Sequence, residues 1–234
     1  MRFKKLSLNR WVIIVLAFLV IALIFFIFKS YLFSKQSYTN KDFEITPVIS
    51  SVDFNGNGID DYTDILNGAK LEAKNHPKYD GKYYEEGYPP DDIGVCSDVV
   101  WRAFKNAGYC LRDMVDKDIT LNPKSYPHIE KPDKNIDFRR VKNLKIFFEN
   151  HAVKLTNNPY EIFEWQPGDI VIYNDNHIAI VSDKRNKQGL AYIIHHYSLF
   201  QLNLEEDSLA NPEITGHYRF DASLINQNFL IKWN

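Results

Sequence analysis

Cysteine is nearly absent from this chain of 234 residues, which has only Cys96 and Cys110. That scarcity excludes a disulfide scaffold and a cysteine-rich metal module. The stretch between the two reads as one helix, which sets their Cα atoms roughly 20 Å apart. A disulfide needs about 4.4–6.8 Å, so both thiols are expected free. Acidic residues are missing from residues 1–35, which hold six of the 28 Lys and Arg and none of the 30 Asp and Glu. The remainder therefore carries 22 basic against 30 acidic side chains, a net of −8. An acidic body of this kind argues against a nucleic-acid partner and favours solubility. Internal repeats and low-complexity tracts are also lacking.

What the chain does have is one long apolar run. Residues 11–28 contain no charged or polar side chain. A bilayer core of roughly 30 Å needs about 20 apolar residues in a helix, so this run is long enough to span one. Arg2, Lys4, Lys5 and Arg10 precede it, which keeps the N-terminus in the cytoplasm and sends the rest outward. A cleaved signal peptide has a shorter apolar stretch followed by small residues. Here Phe28-Lys29-Ser30-Tyr31-Leu32-Phe33 is bulky where small residues are needed. The expectation is a single-pass protein of the cell membrane, with residues 1–34 as a basic stub and uncleaved anchor. Residues 35–52 are expected as a linker, leaving the C-terminal part extracytoplasmic.

Residues 53–64, D-F-N-G-N-G-I-D-D-Y-T-D, place oxygen-bearing side chains at loop positions 1, 3, 5, 9 and 12 with Gly58 at position 6. This is the layout of an EF-hand-type calcium loop. The expected ligands are Asp53, Asn55, Asn57, Asp61 and Asp64, with the Ile59 carbonyl. Position 12 is Asp rather than Glu and no helix precedes the loop, so it resembles the half-hand loops of dockerin-like modules. The plainer reading is an Asn-Gly turn leading into a helix cap. Any calcium here is expected to be structural, with no cofactor needed for catalysis.

The body, residues 65–234, reads as α+β, with helices first and an antiparallel sheet later. Helices are expected from about residue 59 to 75, after Cys96, and from Val141 onward, with loops over 77–95 and 112–137. Apolar runs at 169–173, 177–181, 190–195, 216–220 and 229–233 read as strands.

Cys96 opens the second of those helices, where backbone amides carry partial positive charge and favour a thiolate. A lone cysteine is otherwise a small buried hydrophobe, a description that suits Cys110. Two histidines strengthen the case for Cys96. His177 opens one strand and His195 ends its neighbour, so the two can lie side by side as a base and its orienting partner. Asp137, Arg139 and Arg140 read as a cap and anchor for the following helix, with a substrate cleft as the other role open to them. Asp98 could position the helix start or touch substrate. His217 and Tyr218 belong either to a packed corner or to the cleft, and His76 and His128 read as surface loop residues.

These motifs resemble a known pattern. Cys96-Ser97 at a helix start, then Q-P-G-D-I-V, H-I-A-I-V and I-I-H, is similar to the NlpC-type papain-like cysteine peptidases of bacterial cell walls. G-V-C-S-D-V-V-W-R-A-F, N-I-D-F-R-R-V-K-N-L, H-I-A-I-V-S-D-K-R-N and I-T-G-H-Y-R more closely resemble a bacterial family called domain of unknown function 1287, over roughly residues 60–220. The resemblance implies a papain-like α+β fold with the Cys-bearing helix packed on an antiparallel sheet. It implies Cys96 as nucleophile, His177 as base, His195 as orienting group and Tyr84 beside the oxyanion site. The implied substrate is an amide bond in peptidoglycan or another component of the cell envelope. Two departures bear on this. Val-Cys-Ser-Asp stands where NlpC-type enzymes have Asp-Cys-Ser-Gly, and Ala179 stands where they have glycine. The hairpin between the two histidines is also long, which leaves His196 as a rival third group, since a one-residue slip exchanges the faces of a strand. An acyltransferase using the same site and a calcium-stabilised binding module without catalysis are the competing functions.

Overall fold

The computed structural model describes residues 10–33 and 37–233. The chain divides into two compact units, residues 1–37 and 38–234. The first contains α1 (Arg10–Phe33), a 24-residue helix whose large apolar side chains from Trp11 to Ile27 lie exposed. Its length and composition are those of a membrane-spanning helix.

The second unit contains β1 (Tyr38–Thr39), α2 (Asp61–Asn75), β2 (Lys78–Tyr79), β3 (Ile93–Gly94), α3 (Cys96–Asn106), α4 (Leu111–Leu121), α5 (Val141–His151), β4 (Val153–Lys154), β5 (Ile170–Tyr173), β6 (His177–Arg185), β7 (Ala191–Ile194), β8 (Glu205–Glu206) and β9 (Ile214–Arg219). Its main sheet has the order β4-β9-β5-β6-β7-β8, with β1 added to β6, and every pairing in it is antiparallel. The α+β expectation therefore holds.

Strand alternation divides the central side chains between two layers. Ile170, Ile172, Ile178, Ile180 and Ile194 join the helices in the larger core. Val171, Tyr173, Ala179, Val181 and Ile193 pack on the opposite face with Trp165 and Leu209. Burial on both faces explains why β5 and β6 read as continuous apolar runs.

Local chemistry sets the helix ends. The Asp60 side chain accepts the Tyr62 and Thr63 amides and starts α2. Gly108, at φ 87°, supplies the left-handed residue that follows α3. Gly168, at φ 89°, passes so close to Tyr62 that a Cβ there would meet its carbonyl oxygen at 2.6 Å. The turn into β5 thus requires glycine.

Three sequence expectations need correction. Residues 35 and 36 of the expected linker lie outside the described residues, as does residue 34 of the expected anchor, but from Tyr38 onward the segment belongs to the folded unit. Tyr38 pairs with Arg185, Ile45 is buried, and Asn40 takes the Arg185 Nε at 2.5 Å and bonds Gln166 at 3.2 Å. Isolated side-chain bonds of this kind carry no periodicity. Residues 112–137 contain α4, whose inner face of Leu111, Met114, Val115 and Ile119 also includes Asp118. That buried acid disguised the apolar pattern. Residues 229–233 form no strand; a 3₁₀ turn at Gln227–Phe229 leads to a single bridge between Tyr109 and Lys232.

Candidate active site

Cys96 is the first residue of α3, partly exposed and packed against the helix-side core. A buried carboxylate fixes the turn that carries it. Asp98 accepts the Val95 amide at 2.8 Å, the Trp101 indole at 2.7 Å and the Arg139 guanidinium through two bonds of 2.8 Å. Arg139 also donates to the Lys82 carbonyl at 2.8 Å, which ties the 77–95 segment to the same point. Asp98 is fully buried and Arg139 almost so. Both therefore position the helix start. The expected helix cap is not formed: α5 has no side-chain cap, Asp137 instead accepts the Asp133 amide at 2.7 Å, and Arg140 points outward.

The sheet brings its histidines to the place where two strands part. In β5 and β6, Tyr173 stands opposite His177. In β6 and β7 the register Ile180↔Ile194 and Val181↔Ile193 ends before either strand reaches its histidine. By alternation His177 lies on the face of Ala179 and Val181. His195 meets it there, with Nε2 of His177 2.8 Å from Nδ1 of His195. The far nitrogen of His195, Nε2, lies 3.4 Å from Glu206 Oε2. Which nitrogen donates in each contact depends on the tautomers of the two rings. Burial, and then the neighbouring His195, pushes the His177 pKa down to about 3.

His196 turns to the other face. Its ring meets Tyr79 edge-on at 5.1 Å, it is almost fully buried, and its Nδ1 has no partner among the described residues. Burial, and then His76, pushes its pKa down to about 4. The ring bonded to His177 is thus His195, and His196 makes no hydrogen bond to it among the described residues.

The Cys96 sulfur sits beside the backbone of Ile178, the residue after His177. Burial pushes its pKa up to about 11, and the Ile178 and Ser97 amides act against that shift. The structure therefore differs from the thiolate expected at a helix start, because desolvation outweighs the amide field. At neutral pH the thiol and the imidazole are both uncharged. Among the described residues no hydrogen bond joins the Cys96 sulfur to an imidazole.

Tyr84 and Tyr79 both lie in the segment ahead of Cys96. Tyr84 lies under the Arg139 guanidinium, 5.5 Å from ring centre to cation. Tyr79 pairs with Gly94 through β2 and β3, and its ionisation is raised by burial and then by Cys96. Tyr79 is thus a second tyrosine in the neighbourhood of the thiol.

The 53–64 loop is an internally bonded turn. Asp53 accepts the Gly56, Asn57 and Gly58 amides at 2.8–3.1 Å. Asn55 and Asn57 accept the Asn57 and Ile59 amides at 2.9 and 2.8 Å, and both give side-chain N–H bonds to Asp64. Asp53, Asn55, Asn57 and Asp64 thus face one another. Asp61 leaves the ring, because its carboxylate accepts the Phe54 amide at 2.9 Å and the Tyr109 hydroxyl at 2.5 Å. Among the described residues no three His, Cys, Asp or Glu are grouped to hold a metal.

Sequence reasoning missed Glu206 and Tyr79. Glu206 lay in Leu-Glu-Glu-Asp, which reads as a solvated charge run, and Tyr79 in a loop rich in tyrosine. Only strand pairing singles them out.

Taken together, these features define an α+β protein with a mostly antiparallel sheet, preceded by a helix able to cross a membrane. The chain belongs to the family described as "Domain of unknown function (DUF1287)", whose model matches residues 66–220. It is 34% identical over 197 residues to "Uncharacterized protein YijF" of Escherichia coli (strain K12), covering 79% of this chain and 91% of that protein. No solved structure matches the chain.

Proposed function

We propose that the protein is a membrane-anchored, extracytoplasmic cysteine hydrolase of papain-like, NlpC-type architecture, acting on amide bonds in peptidoglycan stem peptides. One observation supports this above the rest: a thiol at a helix start lies beside the strand position after His177, and His177 is oriented by His195. His177 Nδ1 takes the Cys96 proton as the sulfur attacks the carbonyl carbon. A thioester forms, the amine leaves with the proton from the imidazolium, and water releases the acid. The Cys96 amide and the Tyr79 hydroxyl are the groups able to face the oxyanion. Because thiol and imidazole are both neutral at rest, proton transfer accompanies attack in this scheme.

The location follows from the basic residues ahead of α1, and the substrate from the cell-wall peptidases that the motifs resemble. Incubating the full-length protein with soluble wall fragments and following intact mass tests the proposal. The expected result is a covalent adduct on Cys96 and shortened stem peptides, both lost in Cys96→Ala. Transfer of the acyl group to an added amine in place of water would indicate an acyltransferase. Fragments left intact, with no adduct, would contradict the hydrolase reading.

The high thiol pKa favours a second reading, a non-catalytic binding module whose 53–64 loop is stabilised by calcium. That reading expects Cys96→Ala to leave binding of wall fragments unchanged.

A further inference from the structure

Two imidazoles in contact pose a problem of polarity. With one proton on each ring, the bond between them needs one donor and one acceptor. If His195 Nδ1 donates, His177 Nε2 accepts, and the His177 proton sits on Nδ1. His177 then presents a donor where a base is required. If His195 Nδ1 accepts, His177 Nδ1 is bare and can take a proton. Nothing in the pair itself chooses between these arrangements.

We propose that Glu206 makes that choice: it is the positioning residue that holds the His195 proton on Nε2 and leaves His177 Nδ1 free to act as a base. The inference rests on the Cys96–His177 reading and adds a member to it. Strand pairing delivers the carboxylate. β8 pairs with β7 with Ile193 opposite Glu206 and Ile194 opposite Glu205, so Glu206 shares the face of Ile193 and His195. The adjacent Glu205 is committed elsewhere, accepting Ser182 Oγ and Lys184 Nζ at 2.5 Å each. Glu206, with a side chain 30% exposed, is the carboxylate that reaches His195. The other groups facing His195 on that side are His177 and Tyr197. His196, His76, Asp98 and Arg102 lie toward the helices.

The proton inventory balances. In the resting pair one proton lies between His177 Nε2 and His195 Nδ1, and one between His195 Nε2 and Glu206. Transfer from Cys96 Sγ to His177 Nδ1 gives a thiolate and an imidazolium without moving either.

The test uses full-length protein labelled with ¹⁵N-histidine in liposomes. Solid-state NMR reads which ring nitrogens carry protons, with His177→Gln and His195→Gln assigning the signals. Cys96 alkylation is followed in the same samples by peptide mass, with Cys110 as control for the fold. The wild type is expected to show bare Nδ1 atoms on both His177 and His195. Glu206→Leu is expected to mix the two polarities and slow Cys96 alkylation about tenfold, less than the roughly hundredfold loss expected when the base itself is removed. Glu206→Asp is expected to fall between the two. A proton on His195 Nδ1 in the wild type, or nitrogen signals unchanged in Glu206→Leu, would overturn the proposal. Nitrogen signals that move while alkylation ignores both Glu206→Leu and His177→Ala would preserve the positioning role and reject the hydrolase reading.

Discussion

Two histidines on the same sheet, one sealed and one half-buried, make opposite uses of the same ring. His217, in β9, is fully buried and commits both nitrogens: Nδ1 lies 2.8 Å from the Thr156 carbonyl and Nε2 3.1 Å from Asp169. Trp165 stacks flat on it at 3.6 Å, and Arg219 closes Asp169 with two bonds of 2.7 Å. His177 opens β6 where the ladder ends, bonds through one nitrogen, and has Cys96 beside the next residue. What sets His177 apart as the candidate base is a ring bonded through one nitrogen, at a strand end whose next residue, Ile178, lies beside the Cys96 sulfur. A polar partner is common to both rings.

Substitution should separate the two rings sharply. His217→Ala empties a stacked site and leaves Asp169 without one of its donors, so it is expected to cost about 3 kcal/mol of stability. The pH dependence of Cys96 alkylation should not change. His177→Ala should do the reverse, with little change in thermal midpoint and a roughly hundredfold loss of Cys96 alkylation at neutral pH. Comparable stability losses in both, with alkylation unaffected, would erase the contrast.

The seat of the nucleophile belongs with the sealed ring. Asp98→Ala strands the Arg139 charge beneath α3 and is expected to cost about 3–5 kcal/mol, more than His217→Ala. Chemical denaturation would read both.

A smaller effect comes from pH. Burial holds the folded-state pKa values of His177 and His196 near 3 and 4, below the ordinary 6.5. The unfolded chain then takes up protons first, and stability is lost as pH falls below about 6.5. Asp118 is held down to about 2 by His151 and three further donors, against the opposing effect of burial. Its contribution is present above 3.8 and lost as pH falls through 2. Glu72 works in the other sense. Burial pushes it up to about 7 against the pull of Arg102, so its contribution is present below 4.5 and lost as pH rises through 7. Thermal midpoints against pH should show His196→Gln flattening the loss between 6.5 and 4, and Glu72→Gln flattening that between 4.5 and 7.

The smallest expected effect concerns the 53–64 loop. If it holds calcium, millimolar calcium should raise the thermal midpoint by a few degrees, and Asp64→Asn should abolish the rise. Asp61→Asn is expected to lower stability with or without calcium, since Asp61 bonds Tyr109 rather than the ring.

Much of the scaffold could be read from the residues. The α1 run, the α3 apolar face closed by Gly108, and the strands at His177 and Ile194 all have simple periods or clear stops. The pairing of His177 with a ring of the returning strand was also legible, because strands end at turns and turns bring strand ends together. What escaped has a common physical basis. Asn40, Asp118 and Glu206 are polar residues whose places are set by partners distant in sequence, and no local pattern encodes such a bond. The Cys96 environment escaped for a different reason. A helix start can be read locally, but the depth of burial that outweighs its field arises only when α3 docks on β6.

The central claim is that His177 acts on the Cys96 thiol. Its most direct test is the rate of Cys96 alkylation against pH in the full-length protein in detergent, beside His177→Ala, with Cys110 as internal control. The account predicts that Cys96 reacts faster than Cys110 at neutral pH, and that this advantage disappears when His177 is lost. Equal rates at the two cysteines, indifferent to His177, would contradict it.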